Sequence, residues 1–443
     1  MSDQSLFAAH IAHRRQQIDH LLNDSGYDAL LIHSGRVQYP RFDDRARPFR
    51  AHGHFNAWVP MPYASDCLLE LRSGQRPTLW YTQPKDFWHL PPSEPDHWWA
   101  KEFDLHIIQD ASQWMHRFDA SEALGAIGDE AHLQGMGQRV DLNPIDLLTS
   151  LDEFRTQKTK WECACIREAT RKAAFAHKAA RDEFLAGGSE LDVFWAYMRA
   201  LNEDSGTLPY DAIVAMNEHA ATLHYQHRAS AKLDARYSFL LDAGADTHGY
   251  AADITRTHVG PTSHPHSGLF HGLIDAMDHL ERRLALGAKS GHSFVDMHHQ
   301  AHQGIADILH QTDLVSGSTQ SMVEQGITRV FFPHGLGHFL GAQVHDVAGQ
   351  ISPAGLALPP PPDDPMLRLT RVLESGNVIT IEPGLYFIPM LLEQLKSEPA
   401  GAQVNWTLVE SLIPFGGIRV EDNVLVTEDQ PMNFTREAFE DVG

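Results

Sequence analysis

Cysteine, positive charge and long apolar runs are what this chain has little of. Its 443 residues include three cysteines, Cys67, Cys163 and Cys165. So few thiols, so placed, build neither a disulfide framework nor a cysteine-type zinc site. Cys163-Ala164-Cys165 reads as two small core-facing residues on a helix rather than a redox pair. Basic residues number 35 against 58 acidic ones, a formal charge of −23. That excludes general binding to nucleic acid or anionic membranes, which needs basic surfaces. No apolar run is long enough to span a bilayer. The start, Met1-Ser2-Asp3-Gln4-Ser5, has no basic and apolar signal, so a cytoplasmic protein is expected. What the chain has in abundance is histidine, with 29 residues whose protonation would more than cancel the −23 as pH falls.

A length of 443 residues with 42% hydrophobic content allows two or three domains with sizeable cores. Apolar spacing at Leu6, Ile11, Ile18, Leu21 and Leu22 predicts an amphipathic first helix, and Tyr27 to His33 a buried strand. Residues 39–64 read as a structured loop; 68–71, 78–81 and 126–128 read as strands. Alternating strands and helices predict an α/β domain over 1–157. The polar stretch Arg155 to Thr159 marks the boundary, and 158–443 form the second domain. Helices are expected at 161–184, 190–202, 268–286 and 295–311, with strands dominating from Tyr237 onward. The proline-rich stretch 351–365 is expected to be a surface loop.

Five potential metal ligands stand out in the second half. Asp242 ends Phe239-Leu240-Leu241-Asp242, Asp253 precedes Ile254-Thr255-Arg256-Thr257, and Glu382 and Glu421 sit in Ile381-Glu382-Pro383 and Val420-Glu421-Asp422. The imidazole comes from Pro333-His334-Gly335-Leu336-Gly337-His338, where spacing alone leaves His334 and His338 equal. A turn centred on Thr247 and His248 would place Asp242 opposite Asp253, with Cβ atoms ~5 Å apart. A charged residue in an apolar β run, as at Glu382, needs a partner or a metal. Arg419 either pairs with Glu421 or holds a ligand in place. Four carboxylates on one face repel without cations. One imidazole and four carboxylates can hold two divalent ions that activate one water, which points to a metallohydrolase. The donor set suits Mn²⁺ and also accepts Co²⁺, Fe²⁺ or Zn²⁺.

These strings, together with Asn217-Glu218-His219-Ala220-Ala221-Thr222-Leu223-His224-Tyr225 and Val344-His345-Asp346-Val347, resemble the pita-bread metallopeptidases. Within them the chain is most similar to the bacterial Xaa-Pro dipeptidases, or prolidases. Leu31-Ile32-His33-Ser34-Gly35 and Phe42-Asp43-Asp44 extend the resemblance into the first half. The resemblance implies an α/β (α+β) protein: a creatinase/prolidase-type amino-terminal domain, then a pita-bread domain with a curved, largely antiparallel sheet. It implies two divalent ions on Asp242, Asp253, His338, Glu382 and Glu421, most expectedly Mn²⁺. Glu382 would shuttle protons. His224 and His345 would act on substrate or intermediate, and Arg419 would support the ligands. Arg368 would receive the dipeptide's carboxylate, although Arg371 is close in sequence, and His334 and Tyr210 would line the pocket. The implied substrate is an Xaa-Pro dipeptide, with hydrolysis of organophosphorus triesters as a side activity. A homodimer is implied too, with Asp43 and Asp44 of one subunit approaching the other's site. Xaa-Pro aminopeptidase on longer peptides is the alternative enzyme, and a metal-free binding module on the same fold the alternative class.

Overall fold

A computed structural model describes residues 3–88, 90, 92, 95, 97–115, 117–118, 121–133 and 140–443. The chain divides into two compact units, one of Met1–Ala164 with Pro353–Gly355, the other of Cys165–Ser352 with Leu356–Gly443. The expected division at 157/158 therefore falls seven residues early. The polar stretch does separate two helices, Ile145–Thr156 and Lys160–Ala186. The first turn of the second helix nevertheless packs into the amino-terminal unit. Trp161 lies 4.9 Å from the Phe7 ring and 4.8 Å from His10, and Glu162 accepts from Arg14 at 2.8 Å.

In the first unit, β1 (Ala29–His33), β2 (Leu68–Leu71), β3 (Thr78–Thr82), β4 (Asp104–Ile108), β5 (Leu124–Ile127) and β6 (Val140–Leu142) form one sheet. Their order is β4-β3-β2-β1-β5-β6. β1 pairs antiparallel with β2 and parallel with β5, so the sheet is mixed. Every residue of β1 is buried, as expected of a central strand covered on both faces. The helix Asp3–Ser25 buries Phe7, Ile11, Ile18 and Leu22, spaced as one helical stripe. Within the expected structured loop 39–64, residues 39–48 are exposed and irregular, while Gly53–Asn56 forms a short buried helix.

The second unit holds β7 (Ile213–Met216), β8 (Ser238–Asp242), β9 (Asp246–Thr247), β10 (Tyr250–Ala251), β11 (Thr255–Val259), β12 (Val378–Ile381), β13 (Gly384–Tyr386), β14 (Gly417–Arg419), β15 (Asp422–Leu425) and β16 (Met432–Asn433). All paired strands here run antiparallel. Isolated bridges Thr255↔Glu421 and Phe339↔Ile379 link segments near the candidate residues Asp253, His338 and Glu421. The helices Ser267–Gly287 and Phe294–Gln311 pack beneath these strands. Phe270, Leu273, Met277, Phe294 and Ile305 meet Ile379, Ile381 and Ile418 in the main core. Among the described residues, no helix is long and apolar enough to cross a membrane.

Candidate metal centre

The hairpin that carries the two aspartates turns one residue later than expected. His248 and Gly249 take φ of 55° and 86°, the pair of positive values that a type I′ turn requires. Asp246 Oδ1 accepts from Gly249 N at 2.8 Å and holds the turn. Asp242 consequently stands opposite Thr255, not Asp253. Asp253 faces Gly244, where a Cβ would lie 2.0 Å from Ala252 O and 2.9 Å from the Tyr210 ring. The shift is two residues, so both carboxylates keep the same face and become diagonal neighbours.

The other candidate ligands arrive from three separate segments. The β12 strand brings Glu382 to its end, on the same side as Thr380, whose hydroxyl lies 3.4 Å from Glu382 Oε1. That hydroxyl also accepts from His338 N at 3.1 Å, so the strand places the histidine loop. Gly337 is required there, because a Cβ would lie 2.1 Å from Thr380 O. His338 Nδ1 lies 2.9 Å from Phe339 O and donates to it, which leaves Nε2 facing the carboxylates. Nε2 lies 3.5 Å from Asp253 Oδ2 and 3.6 Å from Glu382 Oε1. Ligand atoms of Asp253, His338 and Glu421 all fall within 4.8 Å of one another.

Arg419 ties the set together. It reaches Asp242 rather than Glu421, with Nη2 at 2.6 Å from Oδ2, and donates through Nε to Thr255 Oγ1 at 3.1 Å. Thr255 in turn donates to Glu421 Oε2 at 2.7 Å. Tyr210 donates to the other oxygen of Asp242 at 2.8 Å. Arg419 Nη1 also donates to Tyr386 OH at 2.8 Å, and Tyr386 bridges to His334 Nε2 at 2.9 Å. His334 is thus held by a phenol and by Gly335 O. Sequence reading did not single out Thr255 or Tyr386. Thr255 lies inside a quoted motif and Tyr386 three residues past another, and only the register and the fold show what they touch.

Burial raises Asp242, Glu382 and Glu421 above the usual carboxylate range. For Glu382 the neighbouring Asp253 and Asp242 add to burial against His338 and Arg419, and the result is about 7. Asp253 is lowered, because the bond and charge of His338 outweigh its burial. Buried carboxylates crowded in this way fit a bound cation, and oxygen donors with one imidazole suit the manganese-to-zinc range. The sign of the pH effect follows. A carboxyl raised to about 7 contributes stability below its ordinary 4.5 that is lost as pH rises through 7. Metal binding must displace that proton, so affinity for Mn²⁺ should fall roughly tenfold per pH unit below 7. Calorimetric titration at pH 6 and 8 checks this; equal affinities would contradict it.

Three expected residues lie at the exposed rim. His345 packs its ring edge on His338, with centroids 4.4 Å apart at 81°. Desolvation lowers His345 to about 4, and the charges of His338, Arg368 and His224 add to this against Asp253. Arg368 is exposed, whereas Arg371 is 3% exposed beside Glu374 and over the Phe339 ring. His224 follows the helical turn Asn217–Ala221. A buried carboxylate unforeseen in the sequence, Glu190, holds this segment. It accepts from Met216 N, His219 Nδ1, Tyr225 OH and Ala229 N at 2.7–2.9 Å. Glu190→Gln would turn an N–H₂ toward donors and should destabilise the unit by about 1.5–3 kcal/mol. Urea denaturation reads this, and an unchanged midpoint would count against it. In the first unit, Asp43 and Asp44 are exposed, and Asp43 caps Arg45 N at 3.0 Å.

Relatives share both parts of the chain. The profile of metallopeptidase family M24 matches residues 164–428, and that of the Xaa-Pro dipeptidase N-terminal domain matches 5–152. Xaa-Pro dipeptidase of Marinobacter nauticus is 44% identical over 97% of this chain and 97% of its own. That of Aeromonas hydrophila subsp. hydrophila is 41% identical over 99% of each. Among solved structures, aminopeptidase P from E. coli with the inhibitor Pro-Leu superposes with a TM-score of 0.74 at 20% identity, over 100% of this chain and 97% of that one. Zn-substituted E. coli aminopeptidase P in complex with product gives 0.73 at 20%, with the same coverage. At that identity these structures speak for the fold alone, the α/β unit followed by an antiparallel-rich catalytic unit. The full-length relatives, the two profiles and the buried histidine–carboxylate cluster agree, and the chain belongs to metallopeptidase family M24.

Proposed function

We propose that this chain is a dinuclear metal-dependent Xaa-Pro dipeptidase that releases proline. The observation that carries the proposal is the buried cluster of Asp253, His338 and Glu421, extended by Asp242 and Glu382. It stands in a chain whose full-length relatives bear that name. Two divalent ions on these five residues, Mn²⁺ foremost, would supply Lewis acidity to water and to the scissile carbonyl. Glu382, raised to about 7, can take a proton from water and return it near neutral pH. The return matters because an Xaa-Pro amide nitrogen carries no hydrogen, and proline leaves as a secondary amine. The C–N bond breaks as the water oxygen joins the carbonyl carbon. His224 donates to the oxygen that becomes negative, and His345 contacts the same region. Arg368 pairs with the free carboxylate of proline, and His334 and Tyr210 line the pocket. Arg419 aims Asp242 and offsets part of the effect of its burial.

Substrate length tests the proposal. An Xaa-Pro dipeptide should be cleaved faster than the matching Xaa-Pro-Yaa; the reverse order would make the chain an aminopeptidase. The proposal extends to a homodimer in which Asp43 and Asp44 approach the partner's site, and a monomer mass at working concentration would end that part. Hydrolysis of a phosphotriester by the same site would be ended by zero turnover of a fluorophosphate. Three free cysteines suit a reducing cytoplasm; fractionation that finds the protein elsewhere would refute that location.

A further inference from the structure

A second group of metal-ligating side chains lies in the same unit and shares no residue with the first. His298 and His302 stand one turn apart on the helix Phe294–Gln311, and so on one face of it. Their Nε2 atoms are 3.2 Å apart. Asp364 Oδ1 lies 3.5 Å from His298 Nε2 and 3.7 Å from His302 Nε2. All three residues are buried, at 2%, 1% and 6% exposure. Donors bound to a tetrahedral ion at about 2.0–2.1 Å stand about 3.3–3.4 Å from one another. The three separations bracket that value. They also match the 3.5 and 3.6 Å between His338 Nε2 and its two carboxylates. The N–O separations are too long for ordinary hydrogen bonds, which lie near 2.7–3.2 Å.

The surroundings orient the donors. His302 Nδ1 lies 3.0 Å from Thr328 Oγ1, and a proton held there leaves Nε2 facing the cluster as a lone pair. His298 Nδ1 has no partner among the described residues, so this buried ring engages polar groups only through Nε2, into the cluster. Arg329 grips Asp364 through Nε at 2.7 Å and Nη2 at 3.1 Å. A carboxylate offers about four lone-pair sites, so Oδ1 keeps one for an ion. His299 is half-exposed, with Nε2 3.6 Å from Asp364 Oδ2, and marks the side from which an ion and a fourth ligand could enter. The Phe332 ring separates the group from the first centre. It lies 5.7 and 5.1 Å from His298 and His302 and 4.7 Å from His334.

We infer that His298, His302 and Asp364 form a separate site for one borderline divalent ion, zinc foremost, which ties the segment leading to Arg368 onto the helix. The site does not depend on the dipeptidase reading. The full chain, stripped by chelator, is titrated with Zn²⁺ alone and its bound metal counted by elemental analysis. A chain carrying Asp253→Asn and Glu421→Gln, which disable the first centre, should retain one zinc equivalent. X-ray absorption of that species should show two imidazole nitrogens near ~2.0 Å. Adding His302→Gln should weaken that zinc at least ~100-fold. If the combined chain does not fold, Asp364→Asn or His302→Gln in the otherwise unaltered protein should lower the zinc count by one. Zinc should also slow amide exchange over 361–371, and do so only while His302 and Asp364 are present. A zinc count unaffected by both His302→Gln and Asp364→Asn overturns the inference. So does a folded Asp253→Asn, Glu421→Gln chain that binds none.

Discussion

Glu382→Gln should lower kcat on an Xaa-Pro dipeptide by roughly 10²–10⁴-fold, the range for losing a positioned proton-transfer group. Two properties of Glu382 converge on this expectation. Its carboxyl lies 3.6 Å from His338 Nε2, among the candidate ligands. Burial holds its pKa at about 7, where it can both accept and return a proton. Glutamine has nearly the same shape and keeps one oxygen for a cation, but cannot carry the proton to proline nitrogen. The measurement is kcat alongside metal content. A loss of kcat with metal retained supports the proton path. A variant with full metal and more than a tenth of the original kcat would remove Glu382 from that path.

Arg368→Met should lower kcat/KM for an Xaa-Pro dipeptide by about 10- to 150-fold, the effect of losing a charge-assisted hydrogen bond worth about 1.5–3 kcal/mol. The same change should leave cleavage of the neutral Xaa-Pro amide nearly unaltered, because that substrate brings no carboxylate to be stranded. The neighbouring arginine provides the contrast. Arg371 is buried beside Glu374 and over Phe339, so Arg371→Met should reduce stability without changing the ratio of the two substrates. Equal losses on the acid and the amide would dismiss Arg368 as the carboxylate receiver.

Long, strongly periodic elements were legible in the sequence. Helices expected at 268–286 and 295–311 occur at Ser267–Gly287 and Phe294–Gln311, because apolar positions three and four apart leave little choice of face. β4 was missed, since Asp104-Leu105-His106-Ile107-Ile108 is polar at one end and exposed at two positions. The unit boundary was misplaced because the contacts of Trp161 and Glu162 reach back some 150 residues, and no local signal reports them. The five candidate ligand positions could be read as a set of residue types. Their wiring could not. Tyr386 meets His334 and Arg419 across 52 and 33 residues of sequence. Glu190 reads as the first residue of a helix, yet its four donors come from residues 216–229.

The hairpin between Asp242 and Asp253 behaves like a reading frame of two. Sliding its turn by one position moves every partner by two and leaves each side chain on its original face, which is why a misplaced turn still put Asp242 and Asp253 on one face. Lengthening the hairpin by a single residue is a frameshift. It would send Asp253 to the far face while Asp242 stayed on Arg419. Two added residues would restore the frame. Among natural variants of this segment, even-numbered insertions should therefore be survivable for metal binding and odd-numbered ones should not.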